Sequence, residues 1–373
     1  MTDLAMTDLE AAPSRLRDAR LVYVAPEAGS SGVGDYASDF IEAVRPHFGS
    51  VVEYRHPGPG TATLRELLAH RTKLRALIED PEAPPTIVHA EQSGGGMLPF
   101  WGPYRVNAVA NTATVHDPPL GIWFPLRTRF LARNRVIGHA INLPLSLFAV
   151  PLESRVNAGR DLFALTRSGS EALRSSMSKS TVTTTSLFVP QRPTLPPVPE
   201  RPLAIGLFGY VYRGKGFDVL RGLREQLDDD IEIRVAGRGT QQLPNIPGVT
   251  ILGEVDGQAE HDFFASIRML VVPYNARTVY FREAIPAAST VSRAIAYQTP
   301  VLSTAHGALR ELAEDGGSIV VDGAAAELAA AANATVRDAE LLSRLESEAA
   351  ILRRARSADS IIKDFLAVWE SRW

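Results

Sequence analysis

Short apolar runs bounded by turn residues alternate with longer stretches in which apolar positions recur every three or four residues, from about residue 20 to the C-terminus. In the first half "RLVYVAP", "SVVEYRH", "PTIVHAEQ" and the end of "VNAVANTATVHD" read as strands, while "GDYASDFIEAVRPHF" and "TATLRELLAHRTKLRALIED" carry the helical period. A second series follows, with "LAIGLFGY", "IEIRVAG", "VTILGEV", "MLVVPY" and "TPVLST" as strands and helices between them. Strand–helix alternation of this kind predicts an α/β fold of doubly wound parallel sheets. Between the two series lies "VPQRPTLPPVPERP", a proline-rich segment expected to form a stiff, extended connector. The expected organisation is a disordered polar N-terminus over 1–19, a first domain over 20–188, a linker over 189–202, a second domain over 203–356 and a C-terminal helix over 357–373.

The most apolar stretch, "VIGHAINLPLSLFAVPL" (136–152), holds His139, Asn142 and two prolines and is short for a membrane span. It reads as core helix and loop. The segment before it, "LRTRFLARNR" (126–135), sets four arginines around Leu126, Phe130 and Leu131 at helical spacing. It reads first as a surface helix, and only second as a helix lying on a membrane.

Composition removes several classes of function. A chain of 373 residues can bury two separate cores. A net charge of −3 argues against a nucleic-acid partner, which would demand a basic surface. Cysteine is absent, so there is no disulfide framework, thiolate metal site or cysteine nucleophile, as expected for a reducing cytoplasm. The N-terminal "MTDLAMTDLEAAPSRLRDAR" has no apolar run of the kind a secretory signal carries.

Two glycine-rich turns carry the candidate chemistry. In "FGYVYRGKGFDVL" (208–220), Gly209, Gly214 and Gly216 accompany Arg213 and Lys215 where a strand hands over to a helix. Free backbone N–H groups, a helix N-terminus and two cations on an exposed turn would welcome an anion. In "APEAGSSGVGDYASDF", Gly32, Gly34 and Ala37 satisfy G-x-G-x-x-A, with Glu53 about twenty residues further on, as a dinucleotide fingerprint requires. However, "PEAGSS" separates the strand from Gly32, whereas the fingerprint's first glycine follows its strand directly. The loop Gly32, Val33, Gly34 and Asp35 is better suited to a phosphate or sugar approaching the backbone. No pair of histidines has metal-ligand spacing.

The ordered set "GSSGVGDYA", "TIVHAE", "TATVHDPP", "RSGSEALR", "FGYVYRGKGFDVL", "VAGRG", "VTILGEV", "LVVPY" and "YQTPVLSTAHGALRELAED" resembles glycosyltransferase family 4 of the GT-B type. The resemblance implies two Rossmann-like domains facing a cleft, with an acceptor on the first and a nucleotide-sugar on the second. The final helix would pack back on the first domain. It further implies transfer with retention of anomeric configuration and without a bound metal or other cofactor. Arg213 and Lys215 then match the family's diphosphate-binding pair, joined by Gly209 and by Ser289 and Thr290 at a helix start. His116 and Asp117, in "TATVHDPP", match the residues beside the transferred sugar. Gly237, Arg238 and His306 would lie near the nucleotide, while His89 reads as structural.

One departure stands out. The family's two glutamates, eight apart, correspond to Ile285 and Arg293 here. Glu283 is the nearby acid that could replace the first, and no clear substitute presents itself for the second, which grips the ribose. Three functions follow: an active retaining glycosyltransferase, an inactive GT-B binding or partner subunit, and a dinucleotide-dependent oxidoreductase or epimerase. The expected partners are a nucleotide-sugar donor and a carbohydrate, lipid-linked or small-molecule acceptor, with peripheral membrane contact not favoured. The loop with Phe100, Trp101 and Tyr104 suits either stacking on an acceptor or simple packing.

Overall fold

A computed structural model describes residues 15–118, 126–212, 214–275 and 285–373, together with the backbone of 278–279 and 282–283. Arg213 and the Glu283 side chain lie outside the described residues, as does the expected disorder of residues 1–14.

The first domain is built on strands β1 (Arg20–Pro26), β2 (Ser50–His56), β3 (Thr86–Gln92), β4 (Ala110–Val115), β5 (Asp161–Ala164) and β6 (Thr181–Thr184). They form one parallel sheet in the order β2-β1-β3-β4-β5-β6. Its helices are α1 (Gly32–Val44), α2 (Leu64–Ile78), α3 (Leu98–Trp101), α4 (Arg129–Arg133), α5 (Arg135–Val156) and α6 (Arg167–Ser176). The second domain has strands β7 (Ala204–Phe208), β8 (Glu232–Ala236), β9 (Val249–Gly253), β10 (Met269–Val272), β13 (Val301–Thr304) and β14 (Ser318–Val321). A two-stranded antiparallel ribbon, β11 (Thr278–Val279) and β12 (Arg282–Glu283), interrupts the series. The second sheet runs β14-β13-β10-β7-β8-β9, the dinucleotide-fold order with its switch point between β7 and β10. Around it lie α7 (Leu220–Gln226), α8 (Gly257–Ala265), α9 (Ser289–Ala296), α10 (Leu309–Glu314), α11 (Ala325–Thr335) and α12 (Ala339–Ala355). The two sheets and their helices make the GT-B architecture.

β1 and β3 are buried along their whole length; β1 is almost wholly apolar, whereas β3 buries Thr86, His89, Glu91 and Gln92 among its apolar residues. Each sheet is covered on both faces by separate apolar clusters. The last helix, α13 (Ala358–Arg372), crosses to the first domain. Ile361, Phe365 and Trp369 bury against Phe40, Phe163 and Leu16, and Trp369 Nε1 donates to Thr112 Oγ1 at 3.0 Å. Where the chain passes between domains, Val189 pairs with Ser357.

Several expectations are corrected. Residues 15–19 are not a loose tail: Arg15–Asp18 form a 3-10 turn, and Leu16 and Ala19 enter the core under α13. The end of the linker is docked on the second domain, with Val198 in its core and the buried Arg201 donating to Thr299 Oγ1 at 2.8 Å. Residues 217–219 form a 3-10 turn, so the helix after the Lys215 loop begins only at Leu220. The stretch 136–152 belongs to a single helix, α5, and is not core: Val136, Leu143, Leu147 and Phe148 are exposed.

Candidate active site

The carboxyl ends of both sheets face one cleft of about 2100 Å³. From the first domain it is lined by Gly32, Val33, Asp35, His116 and Asp117. From the second it is lined by Gly209, Lys215, Gly237, Arg238, Ser289 and Thr290. The fold thus gathers residues up to 258 positions apart, at the switch points where α/β sheets open.

Lys215 sits on the turn after β7. Gly216 adopts φ +75°, and a Cβ there would lie 1.6 Å from the Pro273 carbonyl oxygen, so only glycine lets the turn press onto the end of β10. This close approach buries Lys215, 9% exposed, against expectation. Its ammonium lies 4.1 Å from the Tyr274 ring centroid and 5.3 Å from that of Tyr212, and it donates to the Tyr274 hydroxyl. Tyr274 in turn donates to Thr290 Oγ1 at 3.1 Å, linking the turn to the first residues of α9. Burial pushes the Tyr274 phenol up to about 12, so it remains a neutral relay. Ala288, just before α9, is held at φ +52°, a left-handed conformation costly for alanine and of the kind that clusters at functional sites. Gly32 faces Ser289 from across the cleft, the site of its missing Cβ being 4.0 Å from Ser289 Oγ. Two helix N-termini therefore converge on one space.

On the opposite wall His116 follows β4, and its Nε2 lies 2.5 Å from Glu91 Oε2. Glu91 is wholly buried, and Tyr23 donates to its other oxygen. Burial alone would raise its pKa, but hydrogen bonds from His116 and His89 hold it down to about 2. An ionised carboxylate only accepts, so the proton of that bond sits on His116 Nε2. Nδ1 has no hydrogen-bond partner among the described residues. Sequence reasoning missed Glu91, although it lies two residues after His89 in "TIVHAEQ". His89 itself is structural, bonding Thr112 and Thr114 at 2.8 and 2.9 Å. Asp117 accepts from the Gly94 N–H at 3.1 Å. Ile285 N–H donates to the Pro118 carbonyl at 2.9 Å, which brings the chain just after β12 against this loop.

Other candidates fall differently. Gly34 serves packing: a Cβ would lie 2.2 Å from the Glu27 carbonyl oxygen, and Gly34 does not line the cleft. Asp35 accepts from the Gly29 N–H at 2.8 Å and from the Tyr210 hydroxyl at 3.0 Å. Arg238 donates to Tyr210 at 2.6 Å and also to the Gly29 carbonyl and Glu254. These contacts tie the first domain's glycine loop to the second domain. His306 follows β13 and is not among the lining residues. Glu53 pairs with Arg45 and Arg55 at 2.7 and 3.0 Å. Phe100, Trp101 and Tyr104 pack on one another, away from the cleft lining. Arg293, where the resemblance expects a glutamate, lies 3.6 Å from Glu260, a buried carboxylate on α8 that also accepts from Arg192 and Tyr297.

Comparison with known proteins bears on this geometry. Residues 203–338 match the family model described as glycosyl transferases group 1. None of the curated proteins matches the chain. Among solved structures, Anabaena HepE in complex with UDP and glucose superposes with a TM-score of 0.67 at 14% identity, over 94% of this chain and 99% of that one. WaaG, a glycosyltransferase involved in lipopolysaccharide biosynthesis, gives 0.61 at 12% identity, over 94% and 99%. AviGT4, a glycosyltransferase involved in avilamycin A biosynthesis, gives 0.60 at 15% identity, over 95% and 97%. At such identities the likeness is one of fold.

Proposed function

We propose that this chain, whose residues 203–338 match the model of glycosyl transferases group 1 and whose two domains fold as GT-B, transfers a hexose from a nucleoside-diphosphate sugar to a carbohydrate or lipid-linked acceptor, with retention of configuration. The observation that carries the reading is the buried Lys215–Tyr274–Thr290 relay at the end of the second sheet, facing the Glu91-held His116 at the end of the first. The donor's diphosphate would take the Lys215 ammonium, the N–H groups opening α9 at Ser289 and Thr290, and Arg213. As the bond from the anomeric carbon to the phosphate oxygen breaks, charge gathers on the diphosphate, and fixed donors stabilise that gain. The acceptor oxygen bonds to the anomeric carbon on the face the phosphate leaves, and its proton passes to the departing phosphate oxygen. His116 and Asp117 would hold the sugar, with Glu283 a candidate beside it. Gly237 and Arg238 would lie toward the nucleotide.

The reading is of a cytoplasmic enzyme that works without a metal or other cofactor. Because HepE was captured with UDP, UDP-sugars are the first donors to try. Release of nucleoside diphosphate by pure protein, dependent on an added sugar acceptor, is the test; no release from any of UDP-, GDP-, ADP- or dTDP-sugars would overturn it. A second reading, an inactive GT-B partner subunit, draws on one observation. Ile285 and Arg293 stand where carboxylates are expected, and Arg293 is engaged by Glu260. Donor binding without turnover would favour it.

A further inference from the structure

Helix α5 is built inside out. Its buried stripe consists of Gly138, Asn142, Ser146, Ala149, Glu153 and Val156, small or polar at most positions. Its solvent face carries Val136, Ile137, Ile141, Leu143, Leu147 and Phe148, with Val136 82%, Leu147 73% and Phe148 67% exposed. At 3.6 residues per turn these apolar side chains span an arc of about 160° opposite the buried stripe. A helix shielding a water-soluble domain has the reverse pattern. An exposed apolar face of this size marks a docking surface.

Charge identifies what docks. From Pro118 to Leu152 the sequence contains no acid, and Arg127, Arg129, Arg133 and Arg135 stand at the N-terminal end of the apolar face; Arg129 is paired with Glu66 of α2 at 3.4 Å, and Arg127 and Arg135 also line the cleft. Phe130, 58% exposed on α4, extends that face among them. Glu153, the next acid, is buried. Even with Glu66 against Arg129, this end of the face carries an excess of arginine on a chain whose net charge is −3. Arginines beside a wide apolar arc match the headgroup and acyl boundary of an anionic bilayer. With 22 residues α5 is long enough to cross a membrane, but its inner stripe is buried in the domain, so the helix lies along the surface. The protein-facing side of α5 also borders the cleft, which Arg135, Gly138, His139 and Asn142 line.

We propose that α4 and α5 seat the first domain on an anionic phospholipid bilayer, with the apolar arc inserted at the headgroup level and the mouth of the cleft held at the lipid surface. Docking does not depend on the donor reading; presentation of a lipid-linked acceptor to the cleft would rest on it. The test is flotation of the full chain with vesicles of phosphatidylglycerol and phosphatidylcholine in equal parts, against phosphatidylcholine alone. The wild type should bind the mixed vesicles at least tenfold more tightly than the neutral ones. Leu147→Ser with Phe148→Ser should weaken that binding at least tenfold, and Arg133→Gln should weaken it at low salt. Circular dichroism and sedimentation keep folding and oligomeric state in view. Absence of vesicle binding by the folded wild type would overturn the proposal, as would undiminished binding by the double variant. So would a reversible dimer, lost in the double variant, from a protein that ignores vesicles: the face would then belong to a second copy.

Discussion

Replacing Lys215 by Met removes the charge at the centre of the proposed donor site while leaving an apolar stem of similar length. Lys215 is 9% exposed, so water screens its ammonium little, and it lies over the faces of Tyr274 and Tyr212. Methionine can fill the same slot between the rings. Stability should therefore fall by no more than the cation–π contribution, about 0.5–2 kcal/mol, a shift of several degrees in melting temperature at most. Catalysis loses more. A charge-assisted hydrogen bond contributes about 1.5–3 kcal/mol, and a donor aimed at developing charge about 2.7–4 kcal/mol. Turnover should accordingly fall roughly 10²-fold, and by up to about 10³-fold if all the charge develops against Lys215. The loss should appear mainly in kcat, since the interaction strengthens as the diphosphate departs. The assay is release of nucleoside diphosphate from saturating donor, with circular dichroism to verify folding. A folded Lys215→Met enzyme within threefold of wild-type turnover would refute the reasoning.

Glu91→Gln keeps the shape behind His116 but removes the carboxylate that fixes its Nε2 proton. It should lower kcat by roughly 10- to 100-fold and displace the pH–rate profile, with the donor-induced rise in melting temperature unchanged; an unaltered profile would make Glu91 merely structural. Because the folded Glu91 pKa is held to about 2, its contribution to stability is present above the ordinary carboxylate value of 4.5 and is lost as pH falls through about 2. His56 acts at milder pH: buried, with its pKa pushed down to about 4, it stays neutral in the fold while the unfolded chain protonates from 6.5. Stability should therefore drop between pH 6.5 and 4 by about 3 kcal/mol, and melting curves of His56→Leu should lack that share of the decline. Transfer should survive excess EDTA, because the proposed charge stabilisation comes from side chains and helix N–H groups; loss restored by Mg²⁺ or Mn²⁺ would refute this.

The double winding was legible because β1, β7 and β10 are buried, largely apolar runs set between helical periods. The short strands β5, β6 and β14 escaped notice, being four residues each and giving period little room to show. The Lys215 turn announced itself through its glycines, but not its burial, which depends on Pro273 nearly sixty residues away. Glu91 looked like a strand residue in a buried run; only the alignment of β3 beside β4 puts it behind His116. The Asp35–Tyr210–Arg238 contact joins the two domains across 175 residues or more, and no local pattern encodes it. Hydropathy in α5 was plain, yet it could not reveal which side faced the protein, because an apolar run scores alike inside a core and against lipid.

The central claim is that the cleft binds a nucleoside-diphosphate sugar between Lys215 and the start of α9. It is tested most directly by melting wild-type and Lys215→Met protein with UDP-, GDP-, ADP- and dTDP-glucose and with nicotinamide dinucleotide. At a hundredfold excess over its dissociation constant, the right donor should stabilise the wild type by about 2.7 kcal/mol, and the variant distinctly less at the same concentration. A wild-type midpoint that no nucleotide-sugar moves, or that moves only with the dinucleotide, would contradict the account.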